Sequence, residues 1–457
     1  MPEKKQSADS VLEHMAKTSG RLFGRGRGLL EGKTRPNHSG PNQKANQDDS
    51  IEEFLPEYPV TPVDLLTENL AIYFAGLFRI SRRLAKTERI GAALSGATKR
   101  AWFQIGVLKF MDDYDIPLSV LTGVSSGAMV NAGYEVFRQE YEAHPENFNG
   151  FRGPAHKLEH FVLQHGNLTP EYGPIDFPLH EGVIHPANLD RFLEQLVCEK
   201  NFWDAPRLRV VVHNLSTGEN VVYGITDKDT KIKDAVRQSV AYPGLIETVK
   251  REDGSVASDG GILRKIPLRE LYHFDPDLTL RIAVYVGGPP EPEDIQLLKQ
   301  AYTGNGRTHA RELLELIPAY PKRLKQSISG DAELLHLGIS NREWGDYQQD
   351  VLYLTGGKEV YTVEQGGHTG LIAIRTERGF VPKLSVIDTT ALSNEGYRAA
   401  YKAFQNYFGM IPQQLAYFRR QYGLELREIR YLNQIMHMLA DTEVRVSNLA
   451  HSPWIPH

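Results

Sequence analysis

The sequence has a single cysteine, Cys198, and no long hydrophobic run. One cysteine excludes an internal disulfide and is typical of a protein from a reducing compartment. The longest apolar stretch, residues 69–78, lies between Glu68 and Arg79 and falls far short of the roughly 20 residues that span a bilayer. The polar N-terminus also lacks the apolar core of a signal peptide. We therefore expect a cytoplasmic protein without a signal peptide or a transmembrane segment.

Charge of neither sign is in strong excess. The chain has 52 Lys and Arg against 57 Asp and Glu, a net charge of −5, and no stripe of basic and aromatic residues. These features argue against nucleic acid as a partner. The length of 457 residues, with 41% hydrophobic and 24% charged residues, is typical of one large globular domain with extensions, or of two domains.

The first part of the chain differs from the rest. Residues 1–60 are polar and without lasting hydrophobic periodicity, so we predict a disordered, locally basic tail. The next stretch, 62–84, places leucines near one face and arginines towards the other, which indicates a helix. That helix would pack on a sheet or lie on a membrane surface. Peripheral membrane contact through 1–50 and 62–84 is therefore one candidate interaction.

Strands and helices then alternate. A strand at 89–96, a helix, a short strand at 118–123 and a second helix follow one another within 60 residues. This alternation predicts a parallel sheet with helical crossovers. Further strands are predicted within 208–225 and 278–288, and more strand-like runs within 330–390. The last 60 residues are expected to be mainly helical.

The segment "LTGVSSGAM" places Ser125 between two glycines at the end of a predicted strand. Gly123-x-Ser125-x-Gly127 is the spacing of a strand–turn–helix elbow, in which only small neighbours leave room for a strained serine backbone. The helix that follows directs the positive end of its dipole towards the serine, which would stabilise an oxyanion there. We predict that Ser125 is a nucleophile.

Two further segments accompany this elbow. The first predicted strand runs into "LSGATKRAWFQIGVL" (94–108), and "SVASDGGILRKIPL" (255–268) follows the lead-in "AVRQSVAYPG". In this order the three segments resemble the patatin-like phospholipases. That family has a glycine-rich oxyanion loop with an arginine, then Gly-x-Ser-x-Gly, then Asp-Gly-Gly or Asp-Gly-Ala. The resemblance covers about residues 88–290.

The resemblance implies an α/β fold of three layers, with a mainly parallel central sheet flanked by helices. The core would cover 61–290, followed by an α+β extension at 291–457 that is mainly helical after 395. This extension would complete the sheet, form a lid or mediate oligomer contacts, and the oligomeric state stays open. The resemblance also implies a lipid acyl-ester hydrolase of the phospholipase A or lysophospholipase type, without metal or organic cofactor. Its substrate would be a phospholipid or a lysophospholipid.

The implied site is a Ser–Asp dyad in which Asp259 deprotonates Ser125. The oxyanion would be bound by backbone N–H groups of Gly96, Ala97 and Thr98, with Arg100 supporting the loop or the substrate headgroup. The motif glycines are Gly123, Gly127, Gly260 and Gly261. Three of the four glycines in the family's oxyanion loop are replaced here, at Ala97, Thr98 and Ala101. The alternative is therefore a catalytically silent patatin-fold protein that binds lipid or regulates a partner.

Histidine raises two further alternatives. An α/β-hydrolase with a Ser–His–Asp triad would need a histidine after the acid, and the candidates by order are His273, His309, His336 and His368. The segment "HKLEH" matches the inverted zincin pattern through His156, Glu159 and His160. It also fits an exposed amphipathic helix, which is the interpretation that we favour, so no metal site is predicted.

Overall fold

The computed structural model describes residues 88–165, 182–184, 186–242, 244–287, 345–350, 371–376 and 389–435. All of them lie within the compact unit Leu84–His437. The predicted tail (1–60), the predicted helix at 62–84 and most of 330–390 lie outside the described residues, so membrane contact through 1–50 and 62–84 stays a prediction. Within the described ranges, no helix combines the length and the hydrophobicity needed to cross a bilayer.

Strands and helices alternate over the first half of the described chain, as the apolar pattern predicts. In chain order the elements are β1 (Ile90–Leu94), α1 (Trp102–Asp113), β2 (Val120–Val124), α2 (Ser126–Ala143), α3 (Pro154–His165), β3 (Gly182–Ile184), α4 (Pro186–Val197), β4 (Leu208–Asn214), β5 (Glu219–Tyr223), α5 (Ile232–Ser239), β6 (Gly244–Ile246), β7 (Val249–Lys250), β8 (Val256–Asp259), α6 (Leu268–Phe274), β9 (Leu280–Tyr285), β10 (Leu371–Arg375), α7 (Thr389–Phe408) and α8 (Pro412–Tyr422). Short 3₁₀ turns at Thr98–Ala101 and Gly260–Ile262 precede α1 and α6. Residues 345–350 and 426–435 are also helical.

A sheet of eight strands runs through the described residues in the order β10-β9-β1-β2-β4-β8-β7, with β5 also paired to β4. The neighbours from β10 to β4 are parallel, whereas β5, β7 and β8 pair in antiparallel fashion. β1 and β2 are buried along their whole length, as expected for parallel strands covered on both faces. The structure confirms the predicted α/β fold with a mainly parallel central sheet.

Helices cover both faces of this sheet. On one face, α2 lies so close to β2 that a Cβ on Gly123 would come within 2.6 Å of the backbone of Ala128. The other face is covered by an apolar cluster from α6, the 345–350 helix and the strands. Its members include Leu268, Leu271, Tyr347, Ala93, Val120 and Ala283. The sheet and its two helical faces form the three layers of the fold.

The described part of the C-terminal extension belongs to the same compact unit. Its strand β10 pairs in parallel with β9, and its helix α7 crosses α1. At the crossing, a Cβ on Gly106 would lie 1.7 Å from the carbonyl oxygen of Ser393, and a Cβ on Gly396 would lie 1.8 Å from that of Phe103. Two helix backbones approach this closely only where neither has a side chain. The extension therefore supplies one strand of the sheet and a helix in direct backbone contact with α1.

Candidate active site

Ser125 occupies a sharp turn between β2 and α2. Its backbone has φ of +55° and ψ of −132°, a conformation that costs a residue other than glycine on the order of 1–3 kcal/mol. The small neighbours make this turn sterically possible. A Cβ on Gly127 would lie 2.5 Å and 2.6 Å from the carbonyl oxygens of Leu94 and Ser95. This is the conformation expected of a nucleophile elbow.

A buried serine at the end of α5 holds this elbow. The Oγ of Ser239 accepts a hydrogen bond from the N–H of Ser125 at 2.9 Å and donates one to the carbonyl of Val211 at 2.6 Å. Because Ser239 is completely buried, water does not compete for either bond. Ser239 lies in the lead-in "AVRQSVAYPG", but no local pattern distinguishes it from other serines. Only its place between β4 and the elbow reveals its role.

Ser239→Ala should loosen the elbow without removing the nucleophile. The N–H of Ser125 and the carbonyl of Val211 would both lose their partner, and an unpaired buried polar group costs about 1–3 kcal/mol. We expect a lower thermal midpoint and a reaction of Ser125 with a fluorophosphonate that is slower by roughly 10-fold, a factor equal to 1.4 kcal/mol. Ser216→Ala is the control, since it removes a hydroxyl that accepts a backbone N–H at an exposed position. A labelling rate in Ser239→Ala equal to that of the unmodified chain would contradict this role.

Asp259 is the last residue of β8, which pairs with β4 directly after the part of β4 that pairs with β2. Val124 and Asp259 are opposite Val211 and Val212, which are consecutive on β4. Because β5 occupies the other edge of β4 here, β2 and β8 approach each other end to end along a single edge. Gly260 fills the space between them, where a Cβ would lie only 2.6 Å from Cγ2 of Val124. The end of β2, which leads into the elbow, and the end of β8, which carries Asp259, are therefore neighbours at the carboxyl end of the parallel strands.

The Asp259 side chain is held within its own turn. The residue is 2% exposed, and its Oδ1 accepts the N–H of Gly261 at 2.7 Å. A Cβ on Gly261 would lie 2.9 Å from that oxygen, which accounts for the second glycine of the motif. The backbone N–H of Asp259 donates to the carbonyl of Ala241 at 3.0 Å. Since Ala241 is two residues after Ser239, one short segment anchors the backbone of both predicted catalytic residues.

The loop after β1 lies opposite the elbow. A Cβ on Gly96 would lie 3.0 Å from Cβ of Ser125 and 3.6 Å from its Oγ, so a side chain there would press on the predicted nucleophile. The N–H of Gly96 donates to the carbonyl of Lys265 at 2.8 Å, and the N–H of Ala97 donates to Oγ of Ser126 at 2.8 Å. Two of the three N–H groups predicted to bind an oxyanion thus have acceptors within the protein in this conformation.

Two of the three residues that replace the family's glycines, Thr98 and Ala101, begin and end one turn of 3₁₀ helix. The N–H of Arg100 donates to the carbonyl of Ala97 at 3.1 Å, and the turn continues directly into α1. The first N–H groups of a helix have no acceptor within that helix. Thr98 and Lys99 therefore begin a segment whose geometry favours binding of an anion.

The "HKLEH" segment lies on α3, and its side chains have separate partners. Nε2 of His156 lies 3.0 Å from Oδ1 of Asp113, and Oε2 of Glu159 accepts a hydrogen bond from Nζ of Lys109 at 2.6 Å. Burial raises the pKa of Asp113, but hydrogen bonds from His156 and Tyr397, together with the positive charges of His156 and Arg152, lower it by more, so the pKa lies below its usual value. Among the described residues, no three His, Cys, Asp or Glu side chains are placed to hold a metal ion.

His273, one of the four histidines considered for a triad, lies far from the elbow. It is in the last turn of α6, which is followed by Asp275. Asp275 forms an ion pair at 3.7 Å with Arg89, the residue before β1. Ser125 lies at the opposite, carboxyl end of these parallel strands. The other candidates, His309, His336 and His368, lie outside the described residues.

Comparison with known proteins supports the family suggested by the motifs. Residues 93–272 match the family model described as Patatin-like phospholipase, a range that contains the loop after β1, the elbow and the Asp-Gly-Gly turn. Among solved structures, the chain is similar to VipD from Legionella pneumophila. The sequence identity is 17%, the match covers 70% of this chain and 67% of that chain, and the TM-score is 0.32. The family match confirms the resemblance indicated by the sequence.

Proposed function

Because the chain carries a patatin-like phospholipase domain at residues 93–272, we propose that it hydrolyses acyl esters of phospholipids or lysophospholipids with a Ser125–Asp259 dyad. Members of this family are generally serine hydrolases, and the family implies lipid substrates. The observation that carries the proposal is the end-to-end approach of β2 and β8 on β4. It supports a dyad because the strained Ser125 follows β2 and the buried Asp259 ends β8.

In the proposed reaction, Asp259 takes the hydroxyl proton of Ser125 as the serine oxygen attacks the ester carbonyl carbon. The tetrahedral intermediate then collapses, the alcohol part of the lipid leaves with that proton, and the acyl group stays on Ser125 as an ester. A water molecule attacks this ester while Asp259 accepts the water proton, and a fatty acid is released as the serine hydroxyl is restored. The N-terminus of α2 favours the negative charge that develops beside Ser125.

We place the oxyanion against the loop after β1. The proposed donors are the N–H of Thr98, at the start of the 3₁₀ turn, and the N–H of Ala97. The N–H of Ala97 binds the oxyanion when it exchanges its present acceptor, the Oγ of Ser126, for the substrate oxygen. This exchange is favourable because a hydrogen bond to a charged oxygen is roughly twice as strong as a neutral one. Gly96 leaves the space for the substrate, and Arg100 supports the loop or the lipid headgroup.

The same hydrogen bonds favour a second candidate function. The N–H groups of Gly96 and Ala97 have acceptors within the protein, and each missing oxyanion donor typically costs about 10²–10³ in rate. If the loop stayed in this conformation, the chain would bind lipid without hydrolysing it and would act as a regulatory protein. Its vesicle binding would then be unaffected by Ser125→Ala.

Ser125→Ala should abolish two activities together, covalent labelling by a fluorophosphonate and fatty-acid release from vesicles of phosphatidylcholine and phosphatidylglycerol. Only a serine activated by its surroundings reacts with the probe at an appreciable rate. We expect each activity to fall by at least about 10³-fold, since the nucleophile of the reaction is lost. Ser119→Ala is the matched control, because this serine lies just before β2 and takes no part in the site.

The outcomes separate the two candidates. Labelling and release that depend on Ser125 but not on Ser119 would establish a serine acylhydrolase. Labelling without release would show a competent nucleophile whose ester substrate is another lipid, and lysophosphatidylcholine would be tested next. If the unmodified chain is not labelled and releases no fatty acid, the hydrolase proposal fails and the lipid-binding function is favoured.

A further inference from the structure

A carboxylate from the C-terminal extension lies against the segment that follows Asp259. Asp350 is the last described residue of the helical stretch 345–350, and its side chain is only 3% exposed. Its Oδ1 accepts hydrogen bonds from Nη1 of Arg264 and from Nε of Arg269, both at 2.5 Å. The two arginines bracket the connection between the Asp-Gly-Gly turn and α6. Asp350 itself lies well beyond residues 93–272.

A second contact seats the same helix on the sheet. The ring of Tyr347 stacks on that of Tyr285 at the end of β9, with centroids 4.5 Å apart and an interplanar angle of 14°. Both rings are buried. Nζ of Lys265, which lies between the two arginines in sequence, is 5.4 Å from the centroid of the Tyr285 ring. The 345–350 helix therefore contacts both the end of β9 and the segment 264–269.

This segment is in turn bonded to the loop that faces the nucleophile. The carbonyl of Lys265 accepts the N–H of Gly96 at 2.8 Å. Gly96 lies so close to Ser125 that a Cβ there would be 3.0 Å from the serine Cβ. A continuous path of contacts thus leads from Asp350, through the segment 264–269, to the loop opposite Ser125.

We propose that Asp350 is a positioning residue for the proposed reaction. By binding Arg264 and Arg269, it fixes the Lys265 carbonyl, which holds Gly96 and the predicted oxyanion loop beside Ser125. Hydrogen bonds between ionised partners are short and directional, so a carboxylate shared by two guanidinium groups leaves the segment little freedom. The inference rests on the proposed function for its catalytic part, but the coupling between Asp350 and Gly96 is a property of the fold.

The test compares Asp350→Asn with Glu88→Gln. Glu88→Gln is the control, because Glu88 is also a buried carboxylate paired with an arginine. Its side chain is 5% exposed and lies 3.4 Å from Arg419, but it lies just before β1, at the amino end of the sheet. A displacement of about 1 Å can cost 10²-fold in rate. We expect Asp350→Asn to lower kcat for a soluble p-nitrophenyl ester and the rate of fluorophosphonate labelling by at least about 10-fold, with KM within about twofold. Glu88→Gln should lower the thermal midpoint and leave both rates unchanged.

A second readout is independent of activity. Hydrogen exchange of a peptide covering 92–101 includes the N–H of Gly96, whose acceptor is the Lys265 carbonyl. Asp350→Asn should speed this exchange by about 10-fold or more, whereas Glu88→Gln should not. If Asp350→Asn does not fold, Arg264→Gln and Arg269→Gln each leave one arginine on Asp350 and should show the same changes at smaller size.

The two readouts keep the inference separate from the proposed function. If the unmodified chain is labelled and Asp350→Asn matches it in labelling and in exchange, Asp350 is not a positioning residue. If the unmodified chain is not labelled at all, the hydrolase proposal fails, and exchange alone then decides the inference. Faster exchange of Gly96 in Asp350→Asn, but not in Glu88→Gln, would still support it, and equal exchange would overturn it.

Discussion

Asp259→Asn should lower fatty-acid release by about 10²–10⁴-fold, the range typical of the loss of a general base. An asparagine has the shape of the aspartate, and its oxygen can still accept the N–H of Gly261. It has no basic oxygen that can take the proton of Ser125. The thermal midpoint should therefore change little while turnover is lost. The measurement is kcat/KM for fatty-acid release from phosphatidylcholine vesicles, together with thermal unfolding of the same preparation.

Asp253→Asn is the matched control for this change. Asp253 is an exposed aspartate of the turn between β7 and β8, and its Oδ1 also accepts a nearby backbone N–H, that of Ser255, at 2.8 Å. Its substitution should leave release unchanged. If Asp259→Asn retained release within about fivefold of the unmodified chain, Asp259 would not be the base. A Ser–His–Asp triad that uses a histidine outside the described residues would then be favoured.

Gly396→Val should strongly destabilise the native state. A Cβ at this position would lie 1.8 Å from the carbonyl oxygen of Phe103, and a backbone atom of a packed helix cannot move aside as a flexible side chain can. The helices would have to separate along the whole α1–α7 contact. We expect a loss of more than about 3 kcal/mol, the upper range for overpacking a core, out of a total stability of about 5–15 kcal/mol. The measurement is the yield of monodisperse protein and its thermal midpoint.

Ala391→Val controls for the lower helix propensity of valine. Ala391 is an exposed residue of the same helix, so valine there costs less than about 1 kcal/mol. This variant should fold and keep a thermal midpoint close to that of the unmodified chain. A Gly396→Val chain that unfolds within a few degrees of Ala391→Val would show that α7 can leave α1 without harm to the fold. The close contact at Gly106 would then have no energetic importance.

Features with a local signal could be predicted from the sequence. The elbow depends on glycines two residues before and after Ser125, and the strand that precedes it is mostly apolar. Such short-range patterns report backbone geometry directly. The signal for Asp259 is of another kind, because its Asp-Gly-Gly turn is recognised only by its place after the other two motifs in the family's order. The β1–α1–β2–α2 alternation was equally readable, since its period and apolar content change at each boundary.

Features that depend on distant contacts could not be predicted. Ser239 and Asp350 are ordinary polar residues in sequence, and their roles follow only from which backbone groups and arginines they meet in the fold. The hydrogen bond from the N–H of Ala97 to the hydroxyl of Ser126 joins two segments whose sequences do not indicate that they are in contact. The close approach of Gly106 and Gly396 requires knowledge of which helices cross. Each case is a tertiary contact without a periodic or spacing signal.

The position of β1 in the sheet has a consequence for shorter versions of this protein. β1 is paired with β2 on one edge and with β9 on the other, so a chain that ended at residue 272 would lack β9 and leave the second edge of β1 open. All five residues of β1 are buried in the folded protein. An unpaired apolar strand of this kind adds strands from other chains and promotes aggregation. The segment 93–272 has motifs for chemistry, but its solubility as a separate protein depends on strands that follow it.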